Sequence, residues 1–189
     1  MHPNPAFRGD PAPVNLAFAR HRGFGTLCLN GPEGTMVSHV PFVLNEAGTE
    51  AEMHLVRSNP IARAVAGPAK AVLAVTGPDG YVSPDWYEMP DQVPTWNYVA
   101  VHLRGRLEPL PDSALRPHLD AVSAHFEDGL APKTPWRTEK MSPDAMARMM
   151  RQILPFRLVV TAVDGTWKLG QNKTPEAREG AAVGLERGS

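Results

Sequence analysis

Turn-forming residues cut this chain into short pieces, and that limits what it can fold into. Its 20 prolines and 16 glycines are spread along all 189 residues rather than pooled in one low-complexity tract. Between them lie runs with the two-residue period of a strand that buries one face. Gly25 to Asn30 is such a run, Gly31-Pro32-Glu33-Gly34 is a turn, and Thr35 to Leu44 is the return strand of a hairpin. Alternation puts Met36, Val40, Phe42 and Leu44 on one face and His39 on the other. Pro41 cannot donate to a ladder, so it marks an edge or bulge and frees backbone groups for something other than a strand. Glu52 to Val56 follows the turn at Gly48. Lys70 to Thr76 reads as a central strand buried on both faces, and Gly77-Pro78-Asp79-Gly80 as another hairpin turn. Pro84 to Thr95 reads as a long ordered loop, and Trp96 to Leu107 is the clearest strand. Phe156 to Val163, a tight turn at Asp164-Gly165, and Thr166 to Leu169 complete the set.

Helical patterns are fewer. One opens at Asp10-Pro11 and ends at Gly23, a short one starts at Pro60, and two more cover Pro111 to Phe126 and Ser142 to Ile153. The last carries Met146, Met149, Met150 and Ile153 at helical spacing, a stripe that reads as core packing. Six or seven strands in mostly hairpin-linked order, without βα alternation, give a mainly β (α+β) class. The architecture is an antiparallel barrel with peripheral helices.

Charge excludes some partners. With 19 basic and 20 acidic residues the net charge is −1, which offers no long-range attraction to nucleic acid or an anionic membrane. Arg148, Arg151 and Arg157 are the residues from which a small basic patch could form. The first ten residues hold no apolar stretch and no run reaches the ~18 residues of a membrane span, so the chain reads as cytoplasmic. Cys28, the single cysteine, lies in an apolar run and reads as a small core residue.

Three stretches carry binding chemistry. Around Arg57-Ser58-Asn59-Pro60 a strand meets a helix start, bringing together a guanidinium, a hydroxyl, free amides and a helix dipole, which suits a phosphate monoester. The same residues also make an ordinary capping turn. Val93 to Tyr98 and Lys168 to Lys173 offer aromatic walls and amide donors of the kind that hold planar heteroaromatic ligands. His39, His54 and His102 fall on three different strands, and no metal-ligand spacing, phosphate loop or nucleophile elbow is present.

Five blocks resemble the PaiB-like family of FMN-binding negative transcriptional regulators. They are Phe24-Gly25-Thr26-Leu27, Ser38-His39-Val40-Pro41-Phe42, His54 to Pro60, Gly77-Pro78 through Tyr81–Tyr87 to Val93–Tyr98, and Lys168 to Lys173. Val56, Ser58 and Gly170 depart from the family's usual residues. The resemblance implies an antiparallel split β-barrel of the flavin-binding type over residues 1–173, with 174–189 a partly ordered tail. It implies a homodimer with FMN in a cleft between two barrels. Arg57, Ser58 and Asn59 would hold the phosphate and the Ser38, His39, Val40 and Pro41 backbone would line the ring. Thr95, Trp96, Asn97, Lys168, Gln171 and Asn172 would add contacts, some from the second subunit. The flavin would serve either redox chemistry, with a nicotinamide or other reductant, or regulation. The alternative is a flavin-free split-barrel domain.

Overall fold

A computed structural model describes residues 2–188. Six strands form one closed antiparallel ring: β1 (Phe24–Gly31), β2 (Gly34–Leu44), β3 (Glu50–Val56), β4 (Ala69–Val82), β5 (Thr95–Pro109) and β6 (Ile153–Lys168), in the order β1-β2-β3-β6-β5-β4. Alternation fills the interior from every strand: Leu27, Phe42, Met53, Leu73, Leu103 and Leu158 are all fully buried there. The architecture is the antiparallel barrel that the turn spacing implied.

The ring is closed but split along one seam. β2 pairs with β1 from Gly34 to Pro41, yet with β3 only over Phe42, Val43 and Leu44. On its other side β3 pairs with β6 along its whole length, Glu50 to Val56, so beyond Met53 β6 is its one strand partner among the described residues. Pro41 stands where β2 changes partners, the edge position its missing N–H requires. Among the described residues, 34–41 therefore have β1 on one side and no strand on the other.

Two segments expected as hairpin turns lie inside long strands. Thr76 to Asp79 is a bulge within β4, which runs on through Tyr81 and Val82 beside β5. Asp164-Gly165 lies within β6, where Gly165 pairs with Val101. A Cβ at Gly165 would stand 2.0 Å from Asn15 Oδ1, so glycine is there for close approach rather than for a turn. Gly105 answers a similar need at the β5–β6 bulge, with the Val159 carbonyl oxygen 1.9 Å from the place of its Cβ.

Burial corrects two further expectations. The Lys70–Thr76 run buries Ala71, Leu73 and Val75 but leaves Val72 and Ala74 half-exposed, because a barrel wall has a single buried face. Cys28 faces outward for the same reason, with Leu27 and Leu29 taking the inward positions.

Helices cover the outside. α1 (Ala12–Arg22) ends at Gly23 in the left-handed conformation (φ 57°), and Asn15 on it accepts from Trp167 Nε1 at 2.8 Å. Its cap is Pro11 rather than Asp10. α2 (Pro60–Ala64) has five residues. α3 (Leu115–Glu127) packs on β2, β3 and β6. α4 (Pro143–Met150) is capped by Ser142 and stops before Ile153, which opens β6. α5 (Pro175–Gly188) packs against a 3₁₀ turn at Pro84–Tyr87, where Val82, Tyr87, Ala177 and Ala181 form a second small core. Among the described residues no helix is long and apolar enough to cross a membrane.

Candidate functional site

The seam is where the first cluster assembles. β3 ends at Val56, and Arg57-Ser58-Asn59 turn the chain into α2 beside the free edge of β2. Asn59 spans the gap: its Oδ1 accepts from Ile61 N at 2.9 Å as the helix cap, and its Nδ2 donates to Ser38 Oγ at 3.0 Å. Capping and bridging thus coexist in one amide. Ser58 is exposed, and Val40 is buried in the core, so only its backbone reaches the seam. His39 points outward, its Nδ1 3.1 Å from Thr26 Oγ1.

Arg57 is held from the far side. Its backbone N–H donates to Gln152 O at 2.8 Å and its Nε to Arg151 O at 2.7 Å. Asp112 lies 3.8 Å from its guanidinium, an exposed pair of little energetic weight. The helix dipole contributes less than the sequence implied, because so short a helix sums few peptide dipoles. Arg63, in the last turn of α2, is an exposed cation that sequence reasoning passed over.

The second cluster stands on the opposite wall, since β2 and β5 lie three places apart in the six-strand ring. Beyond the barrel's end β4, β5 and β6 continue together, pairing Tyr81 with Trp96 and Tyr98 with Lys168. A cavity of about 200 Å³ opens there, with Thr95, Asn97, Lys168, Asn172, Lys173 and Tyr87 among its walls. Lys168 Nζ donates to Thr95 Oγ1, Lys173 Nζ to Gln92 Oε1, and Lys173 lies 5.0 Å over the Tyr87 ring. Among the described residues no carboxylate lines the cavity, and the two ammonium groups there meet neutral partners. That is an electrostatic setting for an anion or an electron-rich ring. Trp96 is exposed, its ring 6.1 Å from Tyr81 in an edge contact. Gln171 turns inward on its own loop, accepting from Leu169 N at 2.8 Å and donating to Trp167 O, which is ordinary turn chemistry. Tyr87 and Lys173 are walls that sequence alone does not single out, although both lie within the five blocks.

The three histidines sit apart: His39 by Thr26, His54 against His118, and His102 beside Asp164, whose carboxyl Arg104 holds below the usual range through a 2.7 Å hydrogen bond. The basic patch does not form around Arg157, which pairs with Glu50 at 3.2 Å and Glu108 at 3.6 Å.

A family model described as "Putative FMN-binding domain" matches residues 1–162. The chain belongs to this family. The PaiB-like resemblance of the five blocks therefore stands. The Bacillus subtilis "Protease synthase and sporulation protein PAI 2" is 27% identical over 82% of this chain and 75% of its own length. Solved structures agree on the fold. The FAD and heme binding protein from Mycobacterium smegmatis superposes with a TM-score of 0.61, at 20% identity over 92% of this chain and 78% of that one. The flavocytochrome Anf3 from Azotobacter vinelandii gives 0.62, at 13% identity over 88% and 72%. The PaiB-like chain is thus a split barrel of the flavin-binding kind.

Proposed function

We propose that this chain is a cytoplasmic protein that binds FMN non-covalently between two copies of itself, and that the flavin serves redox chemistry. The observation that carries the reading is the division of ligand-type residues between a seam on one wall and a cationic cavity on the opposite wall. One chain cannot close such a site around a flavin, and a second copy completes it. At the seam, Arg57, Ser58 and Asn59 hold the phosphate, and the backbone of Ser38–Pro41, which has a strand on its β1 side alone among the described residues, offers its outward amide and carbonyl groups to the ring edge. From the partner, Thr95, Trp96, Asn97, Lys168 and Asn172 close the other side, with Gln171 bracing their loop.

Bound FMN supplies the hydride and electron chemistry, and the chain supplies position and charge. The monophosphate end suits a corner with one guanidinium and one hydroxyl, which favours FMN over FAD. A net charge of −1, with Arg157 already spent on two glutamates, supports a small-molecule reductant such as a nicotinamide over DNA as partner.

The test separates the phosphate from the ring. A charge-assisted hydrogen bond contributes roughly 1.5–3 kcal/mol, so Arg57→Ala lowers FMN affinity by about tenfold to a hundredfold while leaving riboflavin affinity unchanged. Flavin fluorescence quenching reads both. Equal affinity of wild type and variant for FMN overturns the assignment. Anaerobic bleaching of the bound flavin by NADPH or NADH tests the redox role, and failure with every nicotinamide donor removes that part.

A further inference from the structure

The methionine stripe of α4 does not pack into the barrel. None of Met141, Met146, Met149 and Met150 joins the main core cluster, and Met149 is 58% exposed. Instead they wall a cavity of about 300 Å³ between α3, α4 and the outer face of β3 and β6, with Trp136 on another side and His54 among the lining residues. Thioethers and an indole make polarisable walls that suit flat aromatic ligands, and the volume lies at the small end of organic-ligand pockets.

Ser123, Thr138, Gln152 and His54 are the polar residues in this lining, and His54 is oriented by a residue behind the cavity. His54 Nδ1 lies 3.0 Å from Nε2 of His118, whose side chain is 1% exposed and does not line the cavity. With Nδ1 turned away, the Nε2 edge of His54 is the one that lines the space. Burial pushes both imidazoles down, His118 to about 4 with the His54 charge adding to the effect, so both are neutral near pH 7. Two neutral rings share one bridging proton, and His118 Nδ1 is buried without a partner. Were the bridging proton on His54, His118 would bury an orphan N–H. With the proton on His118 Nε2, only a bare nitrogen is orphaned, the less costly choice. His54 then carries its own proton on Nε2 and presents a donor to the cavity.

We propose that this cavity binds a small, flat, largely apolar molecule carrying a carbonyl, which accepts a hydrogen bond from His54 Nε2 while its ring lies against the Met146, Met149 and Met150 thioethers. The site lies on the outer face of β3, under α3 and α4, and does not depend on the flavin reading. A pair of isosteric probes tests it on the full-length protein: 2-acetonaphthone, and 2-isopropenylnaphthalene, which replaces the carbonyl by a methylene. With methionine methyls labelled in carbon-13, 2-acetonaphthone saturably shifts the Met146, Met149 and Met150 signals and binds at least tenfold more tightly than the hydrocarbon. His54→Phe removes that preference while hydrocarbon binding persists. No saturable shift of these methyls, or equal affinity of the two probes for the wild type, overturns the proposal. Both results come from the unmodified chain, so they hold even where the variant fails to fold.

Discussion

His118 shows how one side chain couples this fold to pH. In the unfolded chain a histidine takes up a proton near pH 6.5, whereas in the folded protein burial and the neighbouring His54 hold His118 down to about 4. Between those values the unfolded state binds a proton that the native state refuses, so stability falls as pH drops from 6.5 towards 4. The loss attributable to this ring is on the order of 3 kcal/mol at most. Asp120 and Asp164 do not confuse the measurement, because hydrogen bonds from Thr138 and Arg104 respectively hold their carboxyls below the usual range. Their contribution is lost only at still lower pH. Urea unfolding at pH 7 and pH 4.5 reads the difference, and His118→Leu reduces it, leaving the part due to His54 and His102, which burial also holds below the ordinary histidine range. An unchanged slope in that variant places the titration elsewhere.

At the scale of elements, α5 acts as a strap over the ribbon that extends beyond the barrel. Trp86 lies so close to it that a Cβ at Gly184 would stand 2.3 Å from the indole and one at Gly180 2.4 Å from the Trp86 carbonyl oxygen. Gly184→Leu therefore lifts the helix, at a cost of roughly 1–3 kcal/mol for overpacking. Chymotryptic cutting at Tyr87 rises several-fold while the far-ultraviolet strand signal of the barrel holds. Flavin affinity falls as well, because Tyr87 and Lys173 are walls of the cationic cavity. Elements of this kind were only partly legible in the sequence. Alternation located the strands, and Pro41 correctly marked the place where β2 loses a partner. The glycine-bearing segments 77–80 and 164–165 differ from the turns expected of them because a turn, a bulge and a close-approach site draw on the same residue types. Only the partner strand or the Asn15 side chain distinguishes them. The methionine stripe was misread in a similar way, since spacing reports a shared face but not what that face meets. Within the site, the blocks named most of the residues that assemble, while the hold of Asp112 and Arg151 on Arg57 depends on segments remote in sequence.

For the molecule as a whole, the two clusters make a prediction about assembly. When each flavin site takes its seam from one chain and its cavity from the other, a seam variant and a cavity variant repair each other. Arg57→Ala and Lys168→Ala each bind FMN weakly alone. Refolded together in equal amounts, they form mixed dimers with one intact site, restoring roughly a quarter of wild-type capacity. Additive weakness without recovery places both clusters in the same chain's site. The backbone groups of Gly34–Pro41 that point away from β1 are a template for any extended chain that drifts past, with Pro41, the Asn59 bridge to Ser38 and the outward side chains to discourage it. On the proposed placement of the flavin, cofactor seated there doubles as a stopper, so stripped protein is expected to cloud on standing and added FMN to keep it clear, which light scattering follows directly.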